Sequence, residues 1–182
     1  MTKPILLVED DPNDVLFFKY AMKKESVVNP LQVASDGQQA IDYLQGAGKF
    51  ANREEFPLPD LIVLDLKLPF VMGLDVLQWI RKQPELSPIV VILSSSQEEA
   101  DIAAAYRLGA NAYLVKSPDL TKLQEIVRAI NDSLLTSNIS AAKFMVADRL
   151  NSHRQARTAT PYVSPPRSIY ENNDYSRAIS AT

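Results

Sequence analysis

Five short apolar runs, each followed by a stretch of helical character, constrain this chain more than anything else in it. The runs are Ile5–Val8, Leu31–Ala34, Leu61–Leu64, Ile89–Leu93 and Ala112–Val115. They are nearly continuous in hydrophobicity, as strands covered on both faces must be. Between them the sequence predicts helices near Pro12–Lys24, up to Gly46, over Gly73–Lys82 and over Gln97–Leu108. A last helix opens at Ser117-Pro118 and carries Leu123, Ile126, Val127, Ile130 and Leu134 on one stripe. Strand–helix alternation of this kind gives a parallel sheet with right-handed crossovers and helices on both faces, an α/β fold.

Local signals set the boundaries. Asp11 is placed to cap the first helix, with Pro12 at its first position, where a missing N–H costs nothing. Ser35 with Gln38, and Ser96 with Glu99, have capping-box spacing. The connection Ala47–Pro59 is longer than most helix-to-strand loops; it reads as a surface insertion, the other reading being a partner-facing loop. Past about Ser140 the composition changes. Ala141–Asn151 has Phe144, Met145 and Leu150 as the apolar residues of a possible short helix. From Ser152 onward, Pro161, Pro165, Pro166 and clustered polar residues cannot make a packed core. The expected division is a domain over residues 1–140 and a tail over 141–182. Nothing after Ser140 has the length of a DNA-binding domain.

Composition excludes several classes. At 46% hydrophobic, 182 residues supply a sizeable core. A net charge of −3 argues against a chain that coats nucleic acid. With no Cys and only His153, thiolate metal sites, thiol redox chemistry and His-based catalysis lack their parts. No run is long enough for a membrane span, and Met1–Pro4 leads straight into a strand, so a cytoplasmic protein without a signal peptide is expected.

The chemistry sits at the strand ends. Glu9-Asp10, Asp65, Ser94 and Lys116 each follow an apolar run, and in open α/β sheets the ligand crevice lies beyond those ends. Singly, each has an ordinary reading: a strand-end acid caps a helix, Ser94 belongs to a run of three serines, and Lys116 is a surface lysine. Their joint occurrence carries the functional reading. Three converging carboxylates repel one another unless a cation offsets them, and Mg²⁺ prefers such oxygen ligands. Glu9, Asp10 and Asp65, with the Lys67 backbone carbonyl, make a candidate Mg²⁺ site. Asp65, central and followed by an open turn, is the candidate phosphoacceptor. Lys116 supplies a point charge to a phosphoryl oxygen, and Ser94 a hydroxyl donor.

Val8-Glu9-Asp10-Asp11, Leu64-Asp65-Leu66-Lys67-Leu68-Pro69 with Gly73, Ser94, and Tyr113-Leu114-Val115-Lys116 together resemble the receiver domain of two-component response regulators, over roughly residues 3–136. The resemblance implies a flavodoxin-like, doubly wound five-stranded sheet of order 2-1-3-4-5 in three α/β/α layers. It implies a sensor histidine kinase as partner and Asp65 as phosphoacceptor. Asp10 becomes the direct metal ligand, Lys116 the phosphate-binding lysine, and Ser94 with Tyr113 the switch pair. The long loop before the third strand, the Lys116-Ser117 step and the absence of an effector domain look like the small response regulators that partner bacterial phytochromes.

Two departures from the family pattern stand out. Proline normally follows the lysine, often with a cis peptide, and Ser117 stands there; cis and trans are both open. Lys67 is placed to salt-bridge Glu9 or the phosphoryl group. On phosphorylation, Ser94 would move toward the phosphoryl group and Tyr113 rotate inward. That would alter the face of the fourth helix, fifth strand and fifth helix, through which a twofold homodimer could form, the fifth strand being a sheet edge. A receiver-fold interaction module that needs no phosphorylation is the alternative function. An aspartate phosphohydrolase is disfavoured because Lys67 stands where its acid would be. A flavodoxin-like cofactor binder is disfavoured because Glu9-Asp10-Asp11 would repel a phosphate.

Overall fold

In the computed structural model, which describes residues 2–135, five strands alternate with five α-helices. The strands are β1 (Ile5–Val8), β2 (Leu31–Ala34), β3 (Leu61–Leu64), β4 (Ile89–Ser94) and β5 (Ala112–Val115). All pair in parallel, in the order β2-β1-β3-β4-β5. The helices are α1 (Pro12–Lys24), α2 (Gly37–Gln45), α3 (Gly73–Arg81), α4 (Glu99–Arg107) and α5 (Leu120–Leu135). The expected α/β architecture and strand order are what the chain adopts.

Alternation along each strand sorts the core into two layers. Leu6, Val8, Ile62, Leu64, Val90, Ile92 and Tyr113 face α2, α3 and α4. Ile5, Leu7, Leu61, Val63, Val91, Leu93 and Leu114 face α1 and α5, meeting Phe18, Met22, Ile126, Val127 and Ile130. Every residue of β1, β3 and β4 is buried, which explains their unbroken apolar sequence. The side chain of Leu134 and the whole of 136–182, including the segment Ala141–Asn151, lie outside the described residues.

Three helix starts differ from expectation. The cap of α2 is Asp36, whose carboxylate accepts from Gln39 N–H at 2.7 Å, and Ser35 instead accepts from the Gln39 side chain. Helix α4 begins at Glu99 with no side-chain cap, because the Ser96 hydroxyl is turned to the carboxylate of Asp101. Helix α5 begins at Leu120, two residues past Pro118, where Asp119 accepts from Thr121 N–H at 2.9 Å. In each case a nearby acid offers a stronger acceptor, or the serine has a better partner.

The insertion before β3 is more than a surface loop. A 3-10 turn over Gly48–Phe50 buries Phe50, and Phe50, Phe56 and Tyr43 form a cluster with ring centroids 5.2–6.1 Å apart. Arg53 donates to the carbonyls of Tyr43 and Leu44 at 2.7 Å each, adding to the Gly46 N–H that also reaches the Tyr43 carbonyl at the end of α2. The loop therefore carries its own small core and closes α2.

Candidate functional site

The carboxyl ends of β1, β3, β4 and β5 share one rim, and their hydrogen bonds hold it in register: Glu9 N–H donates to Ala34, Asp65 N–H to Val8, and Lys116 N–H to Ser94. Oxygens of Glu9, Asp10 and Asp65 lie within 4.8 Å of one another. Glu9 and Asp65 are buried and Asp10 is exposed. Asp65 Oδ1 accepts from Leu66 N–H at 2.6 Å and Lys67 N–H at 3.2 Å. The second oxygen is 2.7 Å from Lys116 Nζ.

Lys116 gathers the acids. Its ammonium is 2.7 Å from Glu9, 2.7 Å from Asp65 and 2.8 Å from Asp14. Burial alone would lower this lysine; the hydrogen bonds it donates to Asp14, Asp65 and Glu9 together outweigh that and hold it above its usual value. Burial pushes the Glu9 carboxyl up to about 7, against the lowering effect of Lys116 and reinforced by the charge of Asp65. Glu9 is hard to ionise chiefly because it is buried, and the neighbouring Asp65 charge adds to this; a divalent ion held by these acids would offset both. An all-oxygen carboxylate set of this size suits a hard divalent cation.

The turn after Asp65 depends on glycine. A Cβ on Gly73 would stand 2.1 Å from the Asp65 carbonyl oxygen, and Gly73 N–H donates to the Leu66 carbonyl at 2.9 Å. At the tip, Val71 N–H donates to the Pro69 carbonyl across Phe70, whose φ is 64° and whose side chain is 90% exposed. This is a strained three-residue turn.

Ser94 and Tyr113 are both fully buried. Tyr113 already points inward: its hydroxyl donates to the Ser96 carbonyl at 3.0 Å, and burial pushes its phenol up. Ser94 Oγ accepts from Ser96 N–H at 3.5 Å. The expected Lys67–Glu9 salt bridge is not formed. Lys67 is exposed and makes no ion pair among the described residues, and Lys116 takes the Glu9 carboxylate. The Lys116–Ser117 bond is trans, since the described residues contain no cis peptide.

Sequence reasoning missed Asp14, although its place in the first turn of a helix rising from this rim puts it beside Lys116. It also read Ser96 as a cap and passed over Asp101 and Tyr106. Beside the acids, a cleft of about 410 Å³ opens between α1 and the start of α5, lined by Phe17, Phe18, Leu93, Pro118, Leu120 and Lys116 among others. Phe17 and Leu120 are about two-fifths exposed there.

With this geometry in place, the family model described as the response regulator receiver domain matches residues 5–128. The chain belongs to the response regulator receiver family. Among curated relatives, response regulator Rcp1 of Synechocystis sp. is 40% identical over 129 residues, covering 70% of this chain and 86% of that protein. The Mn²⁺-bound form of Rcp1 superposes with a TM-score of 0.65 at 37% identity, over 75% of this chain and 96% of that one. The phosphorylated cyanobacterial phytochrome response regulator RcpA gives a TM-score of 0.69 at 38% identity, again over 75% and 96%. The bacteriophytochrome response regulator RtBRR gives 0.62 at 46% identity, over 72% and 78%. This receiver domain therefore resembles the phytochrome response regulators in particular, and receiver domains pair with histidine kinases. No described helix is long and apolar enough to cross a membrane.

Proposed function

We propose that this receiver accepts a phosphoryl group on Asp65 from a sensor histidine kinase of the phytochrome type and relays the event through the face of α4, β5 and α5. The observation that carries this reading is the convergence of Glu9, Asp10 and Asp65 within 4.8 Å, with Lys116 on Asp65 Oδ2, the oxygen that accepts no backbone N–H. The likeness to the phytochrome response regulators RcpA and RtBRR supports the phytochrome partner.

In the proposed step, Asp65 Oδ2 attacks the phosphorus of a phosphohistidine. An O–P bond forms, the P–N bond breaks, and its electron pair returns to the imidazole nitrogen. Asp65 Oδ1 stays fixed by the Leu66 and Lys67 amides, which orients the attacking oxygen. Lys116 transfers its charge from the carboxylate to a phosphoryl oxygen. Ser94, at the end of β4, turns its hydroxyl to another, with Tyr113 inward behind it. Glu9, Asp10, Asp65 and the Lys67 carbonyl would hold Mg²⁺. Bound there, the ion supplies charge neutralisation between acid and phosphate. The cleft beside α1, with Phe17 and Leu120 at its mouth, is the place for the kinase helix that presents the histidine.

The test is to incubate wild type and Asp65→Asn with a small phosphodonor and Mg²⁺ and to measure intact mass and sedimentation. Gain of one phosphoryl group by the wild type alone is expected, with a change in sedimentation if the output face makes a homodimer. Equal labelling of Asp65→Asn rejects the assignment. No labelling of either favours the phosphorylation-independent module.

A further inference from the structure

We propose that Asp101 and Tyr106, both on α4, are positioning residues that hold Tyr113 inward and so set how well this domain accommodates a phosphoryl group. The inference rests on the reading of Asp65 as phosphoacceptor and adds residues to its switch.

Ser96 is buried and bonded in several directions. Its carbonyl accepts from the Tyr113 hydroxyl at 3.0 Å, its amide donates to Ser94 Oγ at 3.5 Å, and its hydroxyl donates to Asp101 Oδ2 at 2.5 Å. The last bond is charge-assisted and the shortest of the three, and so the strongest tie on the loop. Tyr113 is held a second time. It sits on the edge strand β5, and its backbone N–H donates to the Tyr106 hydroxyl at 3.2 Å. One helix thus grips both sides of the switch: Asp101 holds the loop that accepts the tyrosine hydroxyl, and Tyr106 holds the strand that carries the ring.

These ties are made together only while α4 keeps its present position against β5. A displacement of α4 would break both at once, which favours two discrete arrangements over a continuous drift. The arrangement seen here places the Ser94 hydroxyl at the end of β4 with the tyrosine behind it. Removing either tie reduces the population of that arrangement, and ligand affinity falls with the competent fraction. Glu9, Asp65 and Lys116 hold one another through bonds that involve neither of these ties. Phosphoryl binding and metal binding should therefore respond differently.

The experiment uses the full chain with beryllofluoride as phosphoryl mimic, in saturating Mg²⁺, and measures Mg²⁺ affinity separately. Asp101→Ala and Tyr106→Phe are each expected to weaken beryllofluoride binding roughly fivefold, the equivalent of one hydrogen bond, with Mg²⁺ affinity unchanged. Asp101→Asn keeps an acceptor oxygen and should recover most of the loss. Tyr106→Phe removes one oxygen from a half-buried ring, so it tests the idea even if Asp101→Ala fails to fold. Wild-type affinity in both Tyr106→Phe and Asp101→Ala overturns the proposal, as does parallel weakening of Mg²⁺, which would indicate a general loosening. If the wild type itself binds no beryllofluoride and takes up no phosphoryl group, the Asp65 assignment falls instead.

Discussion

Lys116 Nζ lies 2.7 Å from Asp65 Oδ2, so the oxygen that would attack phosphorus is also the one that carries the lysine's charge. The ammonium is shared with Glu9 and Asp14. This lysine is therefore the counter-ion of three carboxylates, two of them buried.

Lys116→Met should therefore destabilise the metal-free protein more than the metal-bound one. Leaving buried carboxylates without their partner costs about 3–5 kcal/mol. Urea unfolding in chelator is expected to show that loss at pH 8, and saturating Mg²⁺ should restore a large part of it. Equal losses with and without metal would contradict this account.

The Glu9 carboxyl, pushed up to about 7 by burial from an ordinary 4.5, makes stability depend on pH. Below 4.5 the group is protonated in both folded and unfolded chains and contributes no difference. As pH rises from 4.5 to 7 the unfolded chain ionises first, so stability falls progressively, by about 3 kcal/mol in all. Metal-free protein should lose stability across that window, and Glu9→Gln should flatten the slope. Unfolding midpoints at several pH values, corrected for the other acids by comparison of the two proteins, decide the point.

Gly73→Ala should distort the phosphoacceptor itself. The added carbon would meet the Asp65 carbonyl oxygen at 2.1 Å and the Leu66 Cα at 2.7 Å, both backbone atoms that cannot swing aside. Overpacking of this kind costs about 1–3 kcal/mol or more. A lower unfolding midpoint together with weakened Mg²⁺ binding is expected; a neutral substitution would mean that the turn moves freely.

Arg53→Ala should unfasten the insertion. It removes hydrogen bonds to the Tyr43, Leu44 and Phe56 carbonyls, a loss of about 1–3 kcal/mol where an acceptor is left unsatisfied. Faster amide exchange over residues 43–56 than over β1 or β3 would identify the loss as local.

The central strands β1, β3 and β4 were legible because each is a short apolar run buried on both faces, which leaves the sequence no choice of composition, and the half-buried edge strand β2 is legible by its place in the alternation. The site acids and Lys116 were legible for a related reason: the ends of such runs are forced to one rim, so polar residues there converge. What escaped is set by side-chain competition across space. Ser96 has the spacing of a cap, yet Asp101 draws its hydroxyl away. Lys67 has the spacing to reach Glu9, yet Lys116 arrives from β5. The insertion read as surface because Phe50 and Phe56 lie outside any periodic pattern, and only their meeting with Tyr43 makes them a core.

That aromatic cluster and the arginine beneath it have a practical consequence for protein engineering. A chimaera that trades this segment for the shorter link of another receiver would not merely trim a loop. It would strip α2 of the guanidinium bonded to its last carbonyls and of the rings packed against Tyr43 in its last turn, so a workable graft must carry α2 and the insertion across as one piece.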